Sequence, residues 1–435
     1  MNWVLEEHQV KDNIYLTAFK TNKFKTAVLK LSLVATASGG ENDAAMFSLM
    51  VNILRSGSEK YPEKEDIIKR LNDLYDASCS IGGYASGDNR ILEISAEMLE
   101  ERFSSLESIF DGVADVMHQM IFHPRLDSDG FFTEEAVERE KKVVCDKIRS
   151  EKNNSRDYAL KRCREIMCAG EPYGQKVKIE AVTKICRKDL FEFYNRFISE
   201  AKISFSYVGA EDGKNIADKL KKMFSDIPAG GKKAISPLCL YSSKTIREVE
   251  EELNIKQGVI AIGLRTGTLL GDSDAHVMPV FNNVFGGTFM SRLFKILREK
   301  MSLCYYCSSD YVSTKAVMYV SCGINISNFE EAKKEIFNQL DDLKQNLISD
   351  EELMIAKDLA IKEMKEMGDY PGAVATFCYS RSIYGLLETV DSLSEKIKTV
   401  TAEDVLQMAR KIVPDTIFFL KGIKNDEDAE EEADE

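Results

Sequence analysis

Few residues in this chain could do chemistry, and those few are poorly spaced for it. Among 435 residues only His8, His118, His123 and His276 are histidines. His118 and His123 stand five apart, a spacing that puts two helical side chains on different faces, whereas paired ligands on one helix recur at i and i+4. Neither lies in a His-x-x-Glu-His or His-Glu-x-x-His frame, and His8 and His276 read as isolated surface or loop residues. Ser48 and Cys145 could be nucleophiles only beside a general base, and no histidine accompanies them in a recognisable motif. Cys304 and Cys307 form a lone Cys-x-x-Cys with no second pair to complete a zinc set, so packing is their simpler role. Gly286-Gly287 follows no strand in a Gly-x-Gly-x-x-Gly frame, which argues against a phosphate cradle. A tight turn after a helix, with a residue at positive φ, accounts for it. Arg298 and Tyr305, taken one at a time, read as a solvated helix position and an aromatic at the start of a strand.

The bulk composition narrows the classes. Hydrophobic residues at 44% and charged residues at 30% describe a folded globular chain, and 435 residues exceed one ordinary core, so two or three domains are expected. A net charge of −14 without a basic stripe argues against a nucleic-acid partner. Half of that charge sits in Lys424–Glu435, eight acids against one lysine, which reads as a solvated, disordered tail. No run approaches eighteen apolar residues, so no membrane span is expected. The first residues lack a basic-then-apolar leader, and ten scattered cysteines without an export signal read as reduced thiols of a cytoplasmic protein.

The elements that would position any site occur twice. Arg90–Met98 alternates like a half-buried strand and precedes a helical stretch with Phe103, Ile109 and Phe110. Val317–Ile324 repeats the strand, with Ser321 matching Ser95, and Phe329, Ile336 and Phe337 repeat the helix. Thr133-Glu-Glu and Ser349-Asp-Glu-Glu both read as helix starts. Tyr173-Gly174 matches Tyr384-Gly385, the helix from Arg187 matches the one from Thr401, and the strands Ile203–Gly209 and Ile417–Gly422 close the two halves. The period is too long for a solenoid and implies two like domains. Each is expected to be an α+β sandwich, with helices covering one face of a mostly antiparallel sheet. The expected organisation is an N-terminal domain 1–227, a Pro/Gly-rich linker 228–245, a C-terminal domain 246–423 and the acidic tail 424–435.

Two such halves resemble the insulinase/pitrilysin zinc metallopeptidase family, whose fold is a LuxS/MPP-like metallohydrolase clam shell. The resemblance covers nearly the whole chain apart from the tail. Its sharpest match is Phe285-Gly286-Gly287, then Ser291-Arg292-Leu293-Phe294, then Arg298 seven residues ahead of Tyr305. In the family this Arg/Tyr pair reaches across the cleft to bind substrate backbone and help stabilise an oxyanion. The resemblance thus implies a substrate-binding role for Arg298 and Tyr305, with the Gly286-Gly287 loop as a further contact. In the first half, Leu54-Arg-Ser-Gly57-Ser58 matches the turn after the family's inverted zinc motif. Counting back places Ser48 and Asn52 where the two histidines belong and Val51 where the glutamate belongs. Lys147, beside Asp146, falls at the third ligand. None of the four suits a zinc site, because hydrolysis needs three protein ligands and an activated water.

No catalytic residue and no bound metal are therefore expected on this chain. The resemblance implies a non-catalytic subunit of a two-chain peptidase, with zinc on a paralogous partner. Arg298 and Tyr305 would face that metal, and peptide or unfolded protein would bind as an added strand. A non-enzymatic peptide-binding scaffold using the same chamber remains the alternative.

Overall fold

The computed structural model describes residues 5–40, 42–105, 108–231, 245–386 and 388–422. The acidic tail and most of the expected linker lie outside the described residues. The first linker residues do not leave the fold, since Gly230 donates to the Asp12 carbonyl and Gly231 to that of Ala201.

Two compact units emerge, and each interleaves distant segments. One draws on Met1–Arg149, Gln175–Ser236 and Met364–Ser392, the other on Ser150–Gly174, Pro237–Glu363 and Leu393–Glu435. The first is built on strands β1 (Leu5–Lys11), β2 (Ile14–Lys20), β3 (Thr26–Thr36), β4 (Ser78–Ser86), β5 (Asn89–Leu99) and β6 (Lys202–Gly209). The second uses β7 (Arg247–Leu253), β8 (Gly258–Arg265), β9 (Cys304–Val312), β10 (Val317–Ile324) and β11 (Val413–Gly422). Their orders are β1-β2-β6-β3-β5-β4 and β7-β11-β8-β10-β9. Setting β1 aside, they correspond strand by strand. β2/β6 and β7/β11 are parallel, and every other neighbour is antiparallel. Even the register repeats, for Ser95 pairs with Ser80 and Ser321 with Ser308.

The expected α+β class holds, but helices cover more than one face of each sheet. Residues Ala27–Ala35 of β3 and all of β8 are buried, so both of their faces need cover. In the first unit the second face receives the helix Pro371–Ser382. Its Tyr379 packs with Val34, Ile91 and Ile383, and Thr376 and Glu93 hold the buried Lys30 ammonium at 2.8 and 3.0 Å. In the second unit the helix Ser155–Met167 takes that place. A Cβ on Gly263 of β8 would come 2.6 Å from Met167 Sδ, so glycine is required by this close approach.

Charge docks the Ser155–Met167 helix. Its last carbonyls accept from two arginines: Arg247 donates to Ile166 at 2.6 Å and Met167 at 2.9 Å, and Arg265 donates to Met167 at 2.8 Å. Cations at a helix C-terminus satisfy orphan carbonyls and complement the dipole. Arg265 also pairs with buried Asp415 at 3.2 Å and Glu171 at 3.1 Å, and Glu171 in turn holds the fully buried Lys315 at 2.6 Å. Each charge in this network therefore has an opposite neighbour, which buried ions require.

Two local expectations need correcting. Phe103 is not on the helix that follows β5; it ends a short turn, Glu101–Phe103, is exposed, and the helix begins at Ile109. His118 and His123 do not occupy opposed helix faces. The helix Ile109–Phe122 stops before His123, whose backbone leaves the helical region and brings the two rings to 4.7 Å. Among the described residues no helix is long and apolar enough to cross a membrane.

Burial alone would raise the Asp415 pKa, but hydrogen bonds from Thr416 and Arg247 and the charges of Arg247 and Arg265 outweigh it and hold it below the usual carboxylate value. A carboxyl depressed on folding contributes stability that is complete above its unfolded pKa of about 3.9 and lost as pH falls through the folded value. Asp415→Asn should therefore cost on the order of 3 kcal/mol at pH 7. It should also flatten the loss of stability below about pH 5. Denaturant unfolding across that range checks both, and identical acid slopes for the two proteins would contradict the assignment.

Candidate functional site

Ser48, Val51 and Asn52, which the resemblance matches to a zinc motif, lie on the helix Asp43–Ser56, which packs its apolar stripe into the first unit's core. The segment Gly57–Pro62 that follows the helix forms a tight turn. A Cβ on Gly57 would come 2.2 Å from the Pro62 carbonyl oxygen, and the Ser58 amide donates to Tyr61 at 2.7 Å. Ser48 and Asn52 are half-buried, and the Asn52 amide donates to the Ser48 carbonyl at 2.8 Å, one turn back on the same helix. Val51 is 4% exposed and abuts strand β4, where a Cβ on Gly83 would come 2.5 Å from Val51 Cγ2 and 2.8 Å from the Phe47 ring. Val51, which the resemblance matches to the general base, is thus a packing contact. Lys147 and Asp146 are exposed on the helix Glu134–Ser150, where Asp146 accepts from Arg149 at 2.6 Å. That helix begins beside the end of the first, since Ile53 and Gly57 share a cavity wall with Ala136 and Arg139. These two elements meet, but their side chains hold no acid–base pair and no metal-ligand set at the matched positions.

In the second unit the motif residues separate into scaffold and exposed pair. Gly286 ends the helix Met278–Phe285 with φ −152°, and Gly287 is not among the glycines of positive φ. The positive-φ turn expected of them is therefore absent. Glycine is needed for space instead. A Cβ on Gly286 would come 2.6 Å from Ser309 Oγ, and one on Gly287 would come 2.5 Å from Asn282 Nδ2. The Gly286 carbonyl accepts the Ser309 amide at 2.9 Å, which ties the loop to β9. Arg292 is the structural arginine, bonded to Glu352 at 2.7 and 3.2 Å and to Asp342. Burial acts against the Arg292 charge, yet these carboxylates outweigh it and push its pKa up. Leu293 and Leu297 are fully buried.

The pair that remains is exposed. The turn Phe294–Lys300 is wider than an α-helix, closed by the Met301 amide on the Ile296 carbonyl at 2.9 Å, and such turns concentrate at functional sites. It sets the Arg298 guanidinium in solvent over the Phe294 ring, 4.9 Å from its centroid. Ser302, at φ +54°, then reverses the chain into β9. Tyr305, the second residue of that strand, is 47% exposed and donates to Asn325 Oδ1 at 2.6 Å. Arg298 lies close enough for its charge to act on the thiol of Cys304, the residue before Tyr305. Its effect is the lesser one, since hydrogen bonding with Cys322 and burial push that thiol up. β9 is the last strand of its sheet, hydrogen-bonded to β10. The structure therefore gathers Arg298, Tyr305 and a sheet edge, with Gly286 and Gly287 as their support.

Residues 184–359 match the family model described as the peptidase M16 inactive domain. The probable inactive metalloprotease YmfF of Bacillus subtilis (strain 168) is 26% identical over 97% of this chain and 99% of its own length. The uncharacterized zinc protease YmxG of the same bacterium is 23% identical over 68% of this chain and 71% of its own. A conserved protein from Enterococcus faecalis V583 has a crystal structure similar at TM-score 0.84 and 22% identity, covering 97% of this chain and 99% of that one. The peptidase M16 inactive domain from Pseudomonas fluorescens gives 0.81 at 15%, covering 98% and 99%. The chain is thus similar, over nearly its whole length, to a relative named as a probable inactive metalloprotease, and its middle part to the peptidase M16 inactive domain.

Restoring a carboxyl at position 51 tests whether packing has replaced chemistry there. Val51→Glu should lower stability by on the order of 3 kcal/mol, because Gly83 and Phe47 leave neither room nor a partner. Chemical denaturation measures this, and an unaltered midpoint would mean that the position still accommodates an acid.

Proposed function

We propose that this chain is the non-catalytic subunit of a two-chain peptidase, lending Arg298 and Tyr305 to the zinc site of a paralogous subunit that processes peptides or unfolded protein. The observation that carries this reading is the division of labour around β9. Arg292 is consumed by two carboxylates, whereas Arg298, one turn and a half later, is exposed and among the described residues bridges to no acid. An exposed cation over an aromatic ring, beside a phenol at a sheet edge, suits the backbone of an extended peptide. Main-chain hydrogen bonds along the edge would hold the peptide, and the guanidinium would meet charge that develops on a carbonyl oxygen. The first unit cannot provide the metal from Ser48, Val51, Asn52 and Lys147, so zinc must come from elsewhere. Bacillus subtilis carries both a relative named as inactive and one named as a zinc protease, the pairing that this reading requires.

Mixing the purified chain with its zinc-bearing paralogue tests the proposal. Hydrolysis of unstructured peptides should exceed that of the paralogue alone. Arg298→Ala should lower the kcat of the mixture by about 10²–10³, the cost of removing one oxyanion donor. Tyr305→Phe should lower it as well, and neither exposed substitution should change thermal stability. A mixture no more active than the paralogue, or indifferent to Arg298→Ala, would overturn the reading.

A further inference from the structure

Away from β9, two imidazoles and a carboxylate converge where the sequence spacing had kept them apart. His118 is buried near the end of the helix Ile109–Phe122, and His123 stands just past it. Asp226 comes from the loop after the helix Gly213–Met223 and reaches both: His118 Nε2 lies 2.8 Å from one oxygen and His123 Nε2 3.0 Å from the other. One ligand atom from each residue lies within 4.8 Å of the other two, the only such group of three or more His, Cys, Asp and Glu among the described residues.

The arrangement is built rather than incidental. Lys11 of β1 donates to the carbonyls of Ser225 and Ile227, the residues on either side of Asp226, and so fixes the loop that carries the carboxylate. The His118 ring is wedged between Phe224, edge-on at 4.9 Å, and Phe122 at 5.8 Å. The nearby Asp115 carboxylate is engaged by Lys60 at 2.7 Å and Tyr61 at 2.8 Å, which leaves Asp226 as the anion facing the histidines. In tetrahedral zinc sites, metal–ligand distances of about 2.0–2.2 Å put donors roughly 3.4 Å apart, inside the 4.8 Å that at most separates the ligand atoms here. Without a metal, both imidazoles must present Nε2–H to a single carboxylate; a cation would take the place of both protons.

We propose that His118, His123 and Asp226 form a binding site for a zinc-class divalent cation, held by two imidazole nitrogens and one carboxylate with water in the remaining position. Such a cation clips the end of one helix to the loop after another in the first unit. The site is independent of Arg298, Tyr305 and any partner subunit. Its three-residue donor set with an open position matches zinc, cobalt or nickel better than calcium or magnesium, which favour all-oxygen shells.

The test is titration of the chelator-stripped full chain with Zn²⁺ and, separately, Co²⁺. One equivalent of zinc should bind and raise the melting temperature. Cobalt should give a d–d absorption without the thiolate charge-transfer band that cysteine ligation would add. His123→Gln and Asp226→Asn, at exposed or half-exposed positions, should each abolish stoichiometric binding and the thermal shift while the metal-free melting temperature stays within the range of the parent. Absence of stoichiometric binding to the parent overturns the site, as does binding that survives both variants or that carries the thiolate band. Neither result bears on peptide hydrolysis with the paralogue, so this inference and the proposed function fail separately.

Discussion

One close approach governs the second unit: the Gly286 backbone lies against Ser309 with no room for a Cβ, and the Ser309 amide donates to the Gly286 carbonyl. That contact fixes the chain entering the wide turn Phe294–Lys300 relative to edge strand β9. Arg292, held by Asp342 and Glu352, and the buried Leu293 and Leu297 fix the turn's inner side. The outer side has only one place to go, and it presents Arg298 to solvent beside Tyr305. The glycines serve this end by steric absence rather than by backbone handedness. A reactive-looking pair is thus set by a rigid support, as positioning of catalytic or binding groups requires.

The two units share a sheet plan but solve their second faces with different chemistry. In the first, a helix from late in the chain covers β3 with Tyr379 and a single buried lysine pair. In the second, the helix Ser155–Met167 is docked by two arginines on its terminal carbonyls and a chain of ions through Asp415, Glu171 and Lys315. Buried ions contribute little net stability when complete and are costly when broken, so the network reads as a device for specifying which helix docks there.

Much of this was legible in the sequence. The duplicated strands, the helix starts at Thr133 and Ser349 and the closing strands at Gly209 and Gly422 all depend on local patterning, and local patterning is what a sequence displays. β3 is apolar apart from Lys30 and Ser32 between its terminal threonines, and nothing local says that residues 371–382 cover its second face. Long-range exchange has no periodicity. The separation of Arg292 from Arg298 was likewise hidden, because it depends on acids 50 and 60 residues away. The His118–His123 pair was misread for the opposite reason. Helical geometry was applied across a helix end that lay one residue too early for it. Asp226, over a hundred residues on, could not have been joined to them by spacing at all.

The proposed function joins two observations, the absence of metal ligands at Ser48, Val51, Asn52 and Lys147 and the exposure of Arg298 and Tyr305, by having the pair act on another chain. Site-directed photo-crosslinking asks this most directly. p-Benzoylphenylalanine in place of Tyr305 is mixed with the zinc-bearing paralogue and irradiated, and the products are mapped by mass spectrometry. The account predicts crosslinks on the paralogue's His-x-x-Glu-His helix or on a peptide bound beside it. Crosslinks confined to surfaces remote from that helix, or none to the paralogue at all, would contradict it.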